Sequence, residues 1–249
     1  MEKITSRKNA YIQHIRALNS DTAYRREKGE YLCDGIKTLR EAIFFGAEIC
    51  SVMWKDRAET VDGLEAAFEA IVPAELFDYA SPMKNSPGPL FAVRIPEKGN
   101  GSDIKNAVVL EGVQDPGNVG TVIRTANAFG IGAVILTGAC ADLYNPKTVR
   151  ATMGAIFRQN VMQMSHNELK AFLAERGMKL YGAALTEKAV DVRTVEIKNQ
   201  AVAIGSEGSG LSAELLDICD GQIIIPMQPD SESLNAGVAA SVLMWEMAR

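Results

Sequence analysis

The stretch NAVVLEGVQDPGNVGTVIRTANAFGIGAVILTG, residues 106–138, decides the fold. A short apolar run, Ala107 to Leu110, passes through Gly112 and Pro116-Gly117 into a helical pattern that ends at Gly130, and a second apolar run follows from Ala133. The same unit recurs downstream. AVILTG leads to NPKTVRATMGAIF, AVAIGSE to SAELLDICD, and GQIIIPM to the last helix, with MKLYGAAL as a further strand. Apolar runs of this length, each feeding a turn and then a helix, predict an α/β domain: a mostly parallel sheet covered by helices on both faces. In such sheets ligands gather where loops leave the carboxyl ends of the strands.

Upstream the text changes character. YLCDGIKTLREAIFFGAEI predicts a strand end and then an amphipathic helix closed by Gly46, with Leu39, Ile43 and Phe44 on its apolar face. Residues 81–106 are rich in Pro, Gly, Ser and Asn around a strand candidate, FAVRI, and EKGNGSDIKN has linker composition. The expected organisation is therefore a small α/β domain over 1–96, a linker over 97–105 and a second domain over 106–249.

Composition narrows the function classes. A chain with 47% hydrophobic and 23% charged residues is globular. Its longest weakly polar stretch, Phe129 to Ala141, falls short of the roughly 20 residues that span a bilayer. The first residues, MEKITSRKNAYIQHIRALNS, lack the apolar core of a secretory signal, so a cytoplasmic protein without a membrane partner is expected. Four scattered cysteines, with no CxxC pair, and two histidines, His14 and His166, leave little material for a metal site; none is expected, and the thiols read as reduced. The net charge of −5 argues against nonspecific coating of nucleic acid. Yet residues 1–40 hold nine Lys or Arg against five Asp or Glu, which leaves room for a local basic surface.

Three strand-to-helix loops have unusual content. In the first, Pro116-Gly117 forms a turn, Asn118 is a candidate N-cap, and Arg124 sits where a helix dipole does not favour a cation, which asks for a phosphate or carboxylate partner. The second, AIGSEGSGLSAELL, packs three glycines into six positions but carries Glu207 where a phosphate would be repelled, so it matches no phosphate loop. The third, IPMQPDSESLNAGVAAS, offers Ser233 as a cap for the final helix. Lys147, Arg150 and Arg158, on a helix entered through Asn145-Pro146, are further candidates for phosphate contact. Each loop alone is compatible with an ordinary turn or cap.

Together and in order, the three loops resemble the motifs of the SpoU (TrmH-like) family of S-adenosylmethionine-dependent RNA ribose 2′-O-methyltransferases, within the SPOUT superfamily. The first motif is matched by EGVQDPGNVGTVIRTANAFG, the second by IGSEGSGLS, the third by IPMQPDSESLNAGVAAS. The N-terminal SRKNAYIQHIRAL and GEYLCDGIKTLREAI resemble the small RNA-binding domain that often precedes this catalytic domain, with Asp34 where Glu is more usual.

The resemblance implies a C-terminal trefoil knot and S-adenosylmethionine held largely by backbone. The positions matched are Gly205, Ile225 and Leu234, with Ile204, Met227 and Ala239 as neighbours. It implies a homodimer, with Arg124 acting on the 2′-oxygen and Asn118, Glu207, Ser233 and Asn235 orienting the ribose, the arginine and the loops. Arg7, Lys8, Arg16, Lys147 and Arg150 are the RNA-binding residues expected. The substrate expected is a structured RNA, 23S ribosomal RNA, with tRNA as one alternative and a non-catalytic RNA-binding or assembly protein of the same fold as another. A nucleotide-dependent oxidoreductase is disfavoured, because no GxGxxG follows the first strand of the second domain.

Overall fold

A computed structural model describes residues 1–97, 104–228 and 233–249. Most of the expected linker, and part of the third loop, lie outside the described residues. By contacts the chain separates into two units: Met1–Glu97 with Asp142–Phe157, and the described residues of Lys98–Ala141 with Arg158–Arg249.

The elements run in chain order as follows. The first stretch contains β1 (Glu2–Lys3), α1 (Ala10–Ser20), α2 (Thr22–Lys28), β2 (Glu30–Asp34) and α3 (Ile36–Phe44). Then come β3 (Ile49–Lys55), β4 (Ala66–Val72), α4 (Ala74–Ala80) and β5 (Leu90–Arg94). The second stretch opens with β6 (Ala107–Glu111), α5 (Pro116–Ala128) and β7 (Ala133–Thr137), followed by α6 (Pro146–Ala151), β8 (Val161–Gln163) and α7 (His166–Arg176). It closes with β9 (Leu180–Ala183), β10 (Val190–Asp191), β11 (Ala201–Ile204), α8 (Ala213–Leu216), β12 (Gly221–Ile224) and α9 (Ala236–Ala248).

The second unit is built on a seven-stranded sheet, order β10-β12-β9-β11-β6-β7-β8, in which every pairing is parallel. Its central strands are buried on both faces, which is why AVVLE, AVILT and AVAI read as unbroken apolar runs. Registers Ile204↔Leu110 and Leu110↔Leu136 align the ends of β11, β6 and β7, so three loops leave one edge of the sheet together. The helix after β6 starts one turn earlier than its candidate cap. Asp115, not Asn118, is the N-cap of α5: its side chain accepts from Asn118 N at 2.8 Å, and Pro116 fits the first turn because its missing N–H would have had no helical partner. At α9 the cap moves the other way, two residues later, where Asn235, not Ser233, accepts from Val238 N.

The first unit carries a five-stranded mixed sheet, order β1-β4-β3-β5-β2, with FAVRI lying in β5 as expected. On α3, Leu39 and Ala42 are buried but Phe44 is 81% exposed. Five residues turn a helix about 140° past Leu39, so Phe44 cannot share the buried face.

Residues 142–157 sit with the first unit, although the chain on either side of them belongs to the second sheet. Arg25, 2% exposed, explains the attachment: its Nε and Nη2 donate to Asp142 Oδ2 at 3.1 and 2.6 Å, while Nη1 donates to Leu18 O. Tyr144 stacks obliquely on Tyr31, and Val149 joins the core beneath. The helical stretch expected through Arg158 ends at Ala151; a 3-10 turn follows, and Arg158 donates from Nε to Asn127 Oδ1 in the second unit. Removing one partner of a buried, hydrogen-bonded ion pair leaves the other charge uncompensated, so Asp142→Ala should destabilise the first unit by about 3–5 kcal/mol, read from its denaturant unfolding transition.

Candidate active site

The loops that follow β9, β11 and β12, three neighbouring strands, enclose a cavity of about 390 Å³ closed on one side by the start of α9. Ile204, Gly205, Ile225, Met227, Leu234 and Ala239, all six positions expected to hold the cofactor, line it. Glu207 and Ser233 lie on the same wall. Ala183–Thr186 contribute the remaining face. No motif marks that loop. Only the strand order, which places β9 between β11 and β12, brings it to the site.

Gly205 is required by the backbone itself. The loop beyond it folds back through Gly210 N to Ser206 O at 2.9 Å and a Ser206–Ser209 hydroxyl contact at 2.7 Å. A Cβ on Gly205 would overlap the backbone of Gly210 and Leu211, which no rotamer change relieves. The glycine richness of GSEGSG therefore makes a tight hairpin rather than a phosphate cradle.

Glu207, at the tip of this hairpin, gathers the other two motifs. Its Oε1 accepts from Asn118 Nδ2 at 2.8 Å, from Asn235 Nδ2 at 2.6 Å and from Ala236 N at 3.3 Å. Space for this convergence depends on Gly237, whose Cβ would meet both Asn118 Oδ1 and Asn235 Oδ1 at 3.2 Å. Three of the five expected catalytic residues thus share one oxygen. Ser233 stands at the cavity wall. Arg124 is exposed and makes no hydrogen bond or ion pair with the described residues.

A second cavity, about 710 Å³, lies on the other side of the hairpin and is lined by Glu111, Gln114, Asp115, Asn118 and Ser212 among others. Glu111, which no sequence signal marked, is buried. It accepts from Ser212 N and Ser212 Oγ, both at 2.7 Å, and so ties the end of β6 to the cap of α8. The cysteines offer no reactive thiolate. Burial pushes Cys219 up to about 12 and Cys50 to about 11, and Cys33 well above its ordinary value. No helix among the described residues is long and apolar enough to cross a membrane.

The five residues expected to touch RNA fall on one unit. Arg7, Lys8 and Arg16 lie on or before α1, and Lys147 and Arg150 lie on α6, which the Arg25–Asp142 pair holds in the first unit.

Comparison with known proteins settles the family. Residues 105–245 match the model of the SpoU rRNA Methylase family, more than half of the chain. The chain belongs to this family. It is 30% identical over 248 residues, 99% of each chain, to the 23S rRNA (guanosine(2553)-2′-O)-methyltransferase RlmP of Bacillus subtilis (strain 168). It is 28% identical to the 23S rRNA (uridine(2479)-2′-O)-methyltransferase of Streptomyces viridochromogenes, over 99% of this chain and 92% of that one. The crystal structure of an AdoMet-bound rRNA methyltransferase from Sinorhizobium meliloti superposes with a TM-score of 0.88 at 26% identity, covering 99% and 97% of the two chains. The resemblance carried by the three loops is borne out, and so is the mostly parallel α/β fold.

S-adenosylmethionine is the cofactor of this SpoU family member, and the cavity suits it. The lining is apolar around Ile204, Ile225, Leu234 and Met227, as a bound adenine requires, with loop backbone close by to hydrogen-bond its edge. Gly205→Ala should abolish S-adenosylmethionine binding in calorimetry and lower the thermal midpoint, an overpacking penalty of about 1–3 kcal/mol.

Proposed function

We infer that this chain transfers a methyl group from S-adenosylmethionine to the ribose 2′-hydroxyl of a nucleotide in 23S ribosomal RNA. The observation that carries the reading is the convergence of Asn118, Asn235 and Glu207 beside an apolar cavity, in a chain related over its whole length to two 23S rRNA 2′-O-methyltransferases. Residues 1–96 serve as the RNA-binding domain, with Arg7, Lys8 and Arg16 as contacts, and 106–249 as the methyltransferase domain, whose 142–157 segment adds Lys147 and Arg150 to the RNA-binding unit. The C-terminal part of the second unit corresponds to the trefoil knot of the family. A ribosomal RNA substrate places the enzyme in the cytoplasm.

The bound cofactor supplies an electrophilic methyl on a sulfonium, a good leaving group. The protein must align a hydroxyl with that methyl and assist loss of its proton. Glu207, held by three N–H donors on one oxygen, fixes Asn118 and Asn235; with Ser233 they orient the ribose. Arg124 steadies the negative charge that develops on the 2′-oxygen. A guanidinium, whose pKa exceeds about 12, acts here as a donor and not as an ordinary base.

Arg124 follows Asn118 by six residues, which on an α-helix is about 120° around and about 9 Å along. It therefore points away from the Asn118–Glu207–Asn235 cluster of its own chain. Beside it, Thr125 meets Ser241 of α9 at 3.5 Å, and α9 leaves Val238, Val242 and Trp245 exposed at i, i+4 and i+7, with Phe129 edge-on to Trp245. An apolar stripe of that size invites a second copy. We read the protein as a homodimer in which Arg124 of each chain completes the site of the other.

Tritiated methyl transfer onto 23S rRNA, followed by nuclease mapping, should yield one labelled 2′-O-methyl nucleotide; absence of any label would overturn the activity. Arg124→Ala should lower kcat by about 10²–10³ while the affinity for S-adenosylmethionine stays within a few-fold. Trp245→Glu should convert the dimer to monomer in light scattering and remove activity. Mixing Arg124→Ala with Asn235→Ala chains, each inactive alone, should restore activity, since one site in each mixed dimer is then complete.

A further inference from the structure

Around Tyr79, a ring that the functional reading does not use, the first unit gathers two of the candidate RNA contacts, Arg7 and Arg16. The Arg7 guanidinium carbon lies 4.6 Å from the Tyr79 ring centroid and that of Arg16 lies 4.2 Å from it. Arg16 Nη1 also donates to the Tyr79 hydroxyl at 2.5 Å. Gln13 Nε2 donates to Arg7 O at 2.6 Å, which pins the backbone that carries Arg7 to α1. Lys8 is exposed beside them, as are both arginines.

No carboxylate among the described residues pairs with Arg7, Lys8 or Arg16. Two other arginines of the unit are paired with carboxylates: Arg25 with Asp142, and Arg94 with Glu30 and Glu48. Two guanidinium groups on one ring repel each other, and the attraction of the ring offsets this by only about 0.5–1 kcal/mol for each exposed cation. An anion between them would relieve the repulsion and use donors that the stack leaves free.

We propose that Arg7 and Arg16, fixed on Tyr79, form a phosphodiester site that grips the RNA backbone without reading its bases. The proposal rests on the reading of the chain as an RNA methyltransferase and adds to it Tyr79 as the organiser of the site and the phosphodiester as its ligand. The preference for backbone over base follows from the ring. Guanidinium groups already lie against Tyr79, so it is not an open platform for stacking a base, whereas the outward N–H groups match phosphate oxygens. A planar guanidinium held against a ring has lost its rotamer freedom before RNA arrives, so less is lost on binding.

The test measures binding of the full-length protein to two RNAs, a 23S rRNA transcript and an unrelated structured RNA such as tRNA, across a salt series. Arg7→Gln/Arg16→Gln should weaken both complexes roughly tenfold at 0.1 M salt and reduce the slope of log K against log[salt] by about 1–2, since each phosphate neutralised contributes about 0.7–0.9. Affinity for S-adenosylmethionine should not change. Tyr79→Leu keeps the charges and removes the ring; it should weaken binding several-fold with little change in slope, the signature of lost preorganisation. Arg7→Lys/Arg16→Lys should keep the slope but recover only part of the affinity. An unchanged affinity and slope in the double Gln variant, or a loss confined to the 23S transcript, would overturn the phosphodiester site while leaving the RNA reading intact. Failure of the wild-type protein to bind either RNA would overturn that reading as well.

Discussion

One carboxylate oxygen, Glu207 Oε1, organises the second unit's site. It accepts from the side chains of Asn118 and Asn235 and from the backbone of Ala236, residues that enter from α5 and α9, elements more than a hundred positions apart in the chain. Charge-assisted hydrogen bonds of this kind are short and roughly twice as strong as neutral ones. Two short ones from Asn118 and Asn235 and a longer one from Ala236 N, all on one atom, explain why a glycine hairpin carries an acid at its tip. The hairpin exists to present that acid, and Gly205 exists to let the hairpin close.

The constraint spreads outward from there. Asn118 can reach Glu207 because Asp115 and Pro116 start α5 at a fixed point after β6, and Asn235 can reach it because the same residue caps α9 with its other side-chain atom. Gly237 then lets the two helices approach at this point. The register of β6 with β11 sets the height of the hairpin, and Glu111 pins its far end through Ser212. Caps, register and glycine placement each serve the convergence on one oxygen, so a change in any of them would move the site rather than merely loosen a loop.

Much of this was legible in the sequence. Parallel strands are visible as apolar runs, and the three loops, each compatible alone with an ordinary turn or cap, stand out only when taken together and in order. The caps lie a few positions from Asn118 and Ser233, at Asp115 and Asn235, because several residues in each loop can cap and only backbone geometry chooses between them. Two features could not be read at all. The Ala183–Thr186 wall depends on the spatial order of strands, which periodicity does not encode. The excursion of residues 142–157 rests on long-range partners, the buried Arg25 for Asp142 and Tyr31 for Tyr144, more than a hundred residues away, and nothing in the composition of either segment marks the pairs.

That excursion gives the charge distribution its sense. A protein with a net charge of −5 cannot hold RNA by bulk attraction, so the cations that meet phosphate must be concentrated. All five candidate RNA-contacting cations lie on α1 or α6 or just before α1, and α6 brings Lys147 and Arg150 to the unit that already carries Arg7, Lys8 and Arg16. The family segment thus contributes positive charge to the N-terminal unit at the cost of burying an ion pair, an arrangement whose net contribution to stability is small when compared with apolar packing of the same volume. Its value lies in connection. The 142–157 segment departs after β7 and returns before β8, two paired strands of the parallel sheet, so the first unit is tied covalently to that sheet at both ends of the segment as well as through residues 97–105.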